Sequence, residues 1–92
     1  PSSIIGPNVS IGEGVVIYAG VIINVGAKIG NNVIIVTGAS VDHETTIEDH
    51  CLISAGVNIG GNVSIGEGTL VAIGATVVSH LKICKNVLIG AG

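Results

Sequence analysis

Residues 53–70 read Ile53-Ser54-Ala55-Gly56-Val57-Asn58, Ile59-Gly60-Gly61-Asn62-Val63-Ser64, Ile65-Gly66-Glu67-Gly68-Thr69-Leu70. Each hexad opens on Ile, carries Gly or Asn three residues later, and has a small side chain one step beyond that. The register extends both ways without an insertion through Ile5, Ile11, Ile17, Ile23, Ile29, Ile35, Val41, Ile47, Ile53, Ile59, Ile65, Val71, Val77, Ile83 and Ile89. An α-helix, at roughly 3.6 residues per turn, cannot hold a period of six. A short β-branched strand followed by a corner can, because Gly and Asn tolerate the positive φ of a tight turn.

Three such sides close a coil of eighteen residues, so the expectation is an all-β solenoid of three-sided coils, about five of them. Residues eighteen apart then stand above one another. At about 4.8 Å per stacked strand the prism is on the order of 24 Å tall. The fifth position of each hexad is small and faces inward: Val9, Val15, Val21, Ala27, Val33, Ala39, Thr45, Cys51, Val57, Val63, Thr69 and Ala75, with Leu81 the exception. The fourth position departs from Gly or Asn at Glu44, His50 and His80.

Composition agrees with a thin, repetitive core. The chain has 92 residues, one domain's worth, with fifteen Gly and a single aromatic residue, Tyr18. Its net charge of −3 and its three cations, Lys28, Lys82 and Lys85, make no surface for a nucleic acid or an anionic membrane. The longest apolar candidate for a membrane span, Val15 to Ala27, is interrupted by Gly20, Asn24 and Gly26 and is shorter than the roughly 20 residues required. No basic-then-apolar leader is visible at the start.

Chemistry concentrates in Ala39-Ser40-Val41-Asp42-His43-Glu44-Thr45-Thr46-Ile47-Glu48-Asp49-His50-Cys51, which holds four of the six Asp and Glu and two of the three His. His43 lies two residues after inward Val41, on the corner side of its hexad, where its ring faces outward. An imidazole neutral near pH 7 can take a proton from an attacking hydroxyl or amine, worth a factor of roughly 10² to 10⁴ or about 3 to 5 kcal/mol of barrier. Read from residues alone, His43-Glu44 is more simply a solvated corner. One coil beyond His43 stands Gly61, which leaves space beside the ring.

The hexads Ile5-Gly6-Pro7-Asn8-Val9-Ser10, Ile11-Gly12-Glu13-Gly14-Val15-Val16 and Ile59-Gly60-Gly61-Asn62-Val63-Ser64 resemble those of the hexapeptide-repeat acyltransferases. That resemblance covers the whole chain and implies a left-handed parallel β-helix. The segments Thr37 to Glu44, Ile47-Glu48-Asp49 and Gly60 to Gly68 are similar to the sugar O- and N-acetyltransferases that modify sialic acid or nucleotide-activated amino sugars. The resemblance implies an acetyl-CoA-dependent enzyme acting on a sugar or nucleotide-sugar. It implies His43 as general base, Glu44 as the carboxylate that orients it, and Gly61, Ile73 and Ala91 as coenzyme contacts. It also implies a homotrimer with clefts between subunits, because Gly61 lies on a different edge of the prism from Ala55, Ile73 and Ala91. A further expectation is that residues 1–92 are the acyltransferase part of a longer chain with an N-terminal α/β domain. Two departures from the family pattern stand at Leu52, where a second His is common, and Val36, where Asn is common.

His50 and His80 read as exposed corner residues. No two of the three His are separated by a multiple of eighteen, so a zinc site is not expected. Cys51 falls on an inward position and Cys84 on an outward one, too far apart for a disulfide, and unpaired thiols fit a cytoplasmic setting. The main alternative is a non-catalytic solenoid serving assembly or binding. An ice-binding face would need Thr ladders, and Thr45-Thr46 do not recur at the eighteen-residue spacing.

Overall fold

The computed structural model describes residues 3–92. Fifteen strands of two residues each recur every six residues and stack into three parallel sheets of five. The first sheet holds Ile4–Ile5, Ile22–Ile23, Ser40–Val41, Asn58–Ile59 and Thr76–Val77. The second holds Ser10–Ile11, Lys28–Ile29, Thr46–Ile47, Ser64–Ile65 and Lys82–Ile83. The third holds Val16–Ile17, Ile34–Ile35, Leu52–Ile53, Leu70–Val71 and Leu88–Ile89. Ser40 pairs with Asn58 and Val41 with Ile59, and every other pairing keeps the same offset, so the eighteen-residue coil is as expected.

Alternation across each short strand turns the first hexad position inward and its neighbours outward. Ile23, Ile35, Val41, Ile47, Ile53, Ile65 and Val71 are accordingly at 0% exposure. The fifth position closes the core with Val21, Ala27, Val33, Ala39, Val57 and Val63. Ile5 and Ile11 are 46% and 40% exposed, because the bottom coil is covered from one side only.

The corners obey one rule. All fifteen fourth positions, from Asn8 to Gly92, take a φ of 56–75°. The third positions have no positive φ, and the combination is that of a turn whose first central residue suits proline and whose second suits glycine or asparagine. Pro7-Asn8 is such a pair. Glu44, His50 and His80 adopt the same φ, of 60°, 63° and 67°, although side chains of these kinds do so at a cost.

Among the described residues two polar side chains, Thr45 and Thr69, are buried in the core. Thr45 Oγ1 donates to Gly60 O at 2.6 Å and accepts from Val63 N–H at 3.2 Å. Thr69 Oγ1 likewise donates to the Cys84 carbonyl at 3.1 Å and accepts from Val87 N–H at 3.3 Å. Each hydroxyl therefore ties two coils together, and no buried side-chain polar atom among the described residues lacks a partner.

Candidate active site

Three corners run up the prism, one after each sheet. His43 belongs to the first, whose third positions are Pro7, Val25, His43, Gly61 and Ser79. Its backbone is held on both sides: His43 N–H donates to Asp42 Oδ1 at 2.7 Å, and His43 O accepts from Asn62 N–H at 3.0 Å. Asp42 is itself held by Asn24 Nδ2, which donates to the same Oδ1 at 3.1 Å. The exposed imidazole lies over buried Gly61, where an added Cβ would sit 2.7 Å from Nε2 and 2.8 Å from Cε1. Gly61 has no positive φ, so its glycine is required by the ring and not by the turn.

Adjacent Glu44 goes the other way. Its carboxylate lies over Gly26, one coil below, while His43 reaches one coil above. No hydrogen bond or ion pair joins Glu44 to His43 among the described residues, so the expected carboxylate–imidazole contact is not made in this conformation. The two side chains diverge because each fills the space a glycine leaves, the imidazole over Gly61 and the carboxylate over Gly26. The carboxylate that does touch His43 is Asp42, through the main chain. Counting residues in eighteens from Gly60 would have found it, because Asp42 stands directly beneath.

Ile73 and Ala91 lie on the third corner, with Ala55 below them, as expected from the spacing. This corner differs from the first in two ways. Its fourth positions are Gly20, Gly38, Gly56, Gly74 and Gly92 without exception. A Cβ at Gly38, Gly56, Gly74 or Gly92 would meet nothing within 4 Å, and Asn, Glu and His occupy the same φ elsewhere, so neither space nor turn geometry accounts for a bare strip.

The second difference concerns donors. The third-position N–H of a hexad has no backbone acceptor; on the first corner side chains supply one at His43 and Gly61 but none is found for Val25 or Ser79 among the described residues, and on the second corner they supply one at Glu13 and Asn31. At Ala55, Ile73 and Ala91 no acceptor occurs among the described residues. The Ala55 carbonyl accepts from Gly74 N–H at 3.0 Å and the Ile73 carbonyl from Gly92 N–H at 3.1 Å. The result is a column of outward N–H groups at coil spacing along glycine backbone, able to receive carbonyl oxygens of an extended ligand.

Leu52 and Val36 sit on the third sheet and just after it, half-buried. His50 and His80 are exposed on the second and first corners. No group of three or more His, Cys, Asp or Glu among the described residues is arranged to hold a metal ion. Cys51 is buried and Cys84 exposed, both free, and burial pushes the Cys51 thiol above its ordinary value. The described residues contain no helix long and apolar enough to cross a membrane.

Comparison with solved structures places this arrangement. The whole chain superposes on a GDP-perosamine N-acetyltransferase from Caulobacter crescentus, solved as a histidine-to-alanine variant with CoA and GDP-perosamine, at TM-score 0.98 and 38% identity, covering 44% of that chain. The acetyltransferase domain of PglB from Neisseria gonorrhoeae FA1090 is similar over 99% of this chain and 47% of that one, at 27% identity and TM-score 0.64. The N-terminal domain of CcmM, solved with CcmN, shares the fold at TM-score 0.91 and 24% identity, over 98% of this chain and 92% of that one. The chain thus spans less than half the length of the first two. No protein-family model and no curated protein matches it. With its unbroken hexad register, its three stacked sheets and these superpositions over 99–100% of its own length, the chain is a β-solenoid similar to hexapeptide-repeat acetyltransferases.

Proposed function

We propose that this solenoid transfers an acetyl group from acetyl-CoA to an amino or hydroxyl group of a sugar or nucleotide-sugar, with His43 as general base. The observation that carries the reading is the seat of the His43 imidazole on Gly61, an exposed base held against a glycine that the turn does not need. The similar C. crescentus structure, with CoA and GDP-perosamine bound, supports the same chemistry.

In the reaction the acceptor nitrogen or oxygen attacks the thioester carbonyl and its proton passes to the His43 imidazole. The carbon–sulfur bond breaks, and the same proton leaves with the coenzyme thiolate. Glu44 is a positioning residue, reaching the ring when its exposed side chain rotates off Gly26. Gly61 keeps the imidazole in place. The free N–H groups of Ile73 and Ala91 receive amide carbonyls of the pantetheine arm.

Those donors and His43 lie on opposite edges of the first sheet, so one ligand reaches both most directly between two copies. We infer a homotrimer with three such clefts. The outer face of the third sheet supports association: its strands present Val16, Ile34, Leu52, Leu70 and Leu88, with Leu88 70% exposed, and Tyr18 and Val36 lie beside them. A folded monomer in sedimentation would remove the trimer. We also infer that the solenoid works within a longer chain whose other domain holds the nucleotide, and that its two free thiols fit the cytoplasm.

The test is His43→Ala. Acetyl transfer should fall roughly 10²- to 10⁴-fold with circular dichroism unchanged. Undiminished turnover would take His43 out of the mechanism. If acetyl-CoA also fails to bind a confirmed trimer by calorimetry, a binding or assembly scaffold becomes the better reading.

A further inference from the structure

The corners cap their third-position N–H groups in two ways. At Glu13, Asn31 and Gly61 the acceptor comes from the third position one coil above: Asn31 Oδ1 at 2.9 Å, Asp49 Oδ1 at 2.8 Å and Ser79 Oγ at 3.2 Å. Each of those hexads has glycine at its second position, and a Cβ on Gly12, Gly30 or Gly60 would strike the capping oxygen itself. His43 cannot use this arrangement. The residue above it is Gly61, bare because the imidazole fills its side-chain space. The second position of the His43 hexad is instead Asp42, whose Oδ1 accepts the His43 N–H at 2.7 Å from within the same hexad, the shortest of these four bonds. Asn24 Nδ2, one coil below, donates to the same oxygen at 3.1 Å and fixes the carboxylate, while the Asp42 N–H is held by Ile59 O at 2.9 Å.

We propose that Asp42 is a positioning residue for the His43 base: it provides from the side the cap that Gly61, by seating the ring, can no longer provide from above. Its effect on turnover rests on the acetyltransferase reading; its effect on the ring does not. A hydrogen bond to a carboxylate is shorter and stronger than one between neutral groups, which suits a main chain that must not shift. His43 O is held by Asn62 N–H at 3.0 Å, so with Asp42 both peptide groups flanking the His43 Cα are fixed and the ring keeps only its side-chain torsions. Without the carboxylate the His43 N–H turns to water, and the peptide joining residues 42 and 43 is free to tilt. A displacement of about 1 Å at a reacting group can slow a reaction about 10²-fold. In this role Asp42 touches neither acceptor nor coenzyme and exchanges no proton.

NMR of this chain should show a nuclear Overhauser contact between the His43 imidazole Hε1 and the Gly61 Hα. Asp42→Ala should move the His43 amide proton upfield and lose that contact. It should also lower kcat for acetyl transfer about tenfold while KM for acetyl-CoA stays within about twofold of wild type, because the third corner is untouched. Asp42→Asn keeps an Oδ1 acceptor for the His43 N–H and Asn24, and should restore the contact and most of kcat. A carboxylate that serves only the fold would lower the denaturation midpoint of Asp42→Ala and leave the contact and kcat intact. That result would overturn the proposal, as would an Asp42→Asn variant that fails to rescue. If Asp42→Ala does not fold, Asn24→Ala, which removes one of the two donors on Oδ1, should weaken the contact in a folded chain, and an unaltered contact there overturns the proposal equally. Undiminished turnover in His43→Ala would remove the base reading alone, since the ring contact tests Asp42 without any reaction.

Discussion

The first and third corners share a turn, a φ and a hydrogen-bonding rule, yet they expose opposite materials. The first presents side chains: Asp42, His43, Glu44, Ser79 and His80 crowd its upper coils, and its third-position N–H groups at His43 and Gly61 are consumed by Asp42 and Ser79. The third presents backbone, with a strip of five glycines and free N–H groups at Ala55, Ile73 and Ala91. The difference shows that a solenoid can divide labour between edges without changing its scaffold. One edge supplies groups that gain and lose protons. The other supplies fixed dipoles at a regular spacing.

The sharpest way to break this contrast is to put a side chain where the first corner needs none. Gly61→Val inserts a Cβ within 2.7 Å of His43 Nε2. The exposed ring can swing aside, so stability should change little while acetyl transfer falls on the order of 10²-fold from a misplaced base. Unchanged kinetics would mean that the seat on Gly61 is incidental.

The third corner is tested by deleting a donor. Pro7 shows that the third position accepts proline, so Ile73→Pro should fold normally and lose only its N–H and side chain. Relative to Ile73→Ala, acetyl-CoA should bind roughly 2- to 10-fold more weakly by calorimetry. Equal affinities in the two variants would deny the backbone column its role.

The smallest effect concerns the second corner, where Cys51 Sγ–H donates to Gly66 O at 3.2 Å as Thr45 does to Gly60 in the first. Desolvation raises the folded thiol above its ordinary value of 9.0, outweighing the backbone hydrogen bonds that lower it. The unfolded chain then ionises first. The stability from this site is present below about pH 9 and is lost as pH rises through the folded value. Denaturation midpoints should fall on that alkaline side, and Cys51→Ala should flatten the decline while Cys84→Ala leaves it. A slope insensitive to Cys51 would place its origin elsewhere.

Much of this was legible in the residues. Period six, inward Ile and Val, and Gly or Asn at the corners lead to three-sided coils because a two-residue strand and a tight turn admit few other geometries. Counting in eighteens then placed Gly61 over His43, and Ile73 and Ala91 on another edge. What counting did not show was direction. Neighbours such as His43 and Glu44 share a corner, but the ring turns up over Gly61 and the carboxylate down over Gly26, each toward a missing side chain one coil away. In the sequence Asp42 is one more charge in an acidic stretch, and only its contact with the His43 N–H separates it from Glu48 or Asp49.

The sequence by itself determined the coil, the register and the column of every residue, because those follow from a strict period and the conformational tolerance of Gly and Asn. The tertiary structure decided which N–H groups remain without acceptors and which carboxylate meets His43. Those depend on side-chain direction and on partners a full coil away, which no single hexad contains.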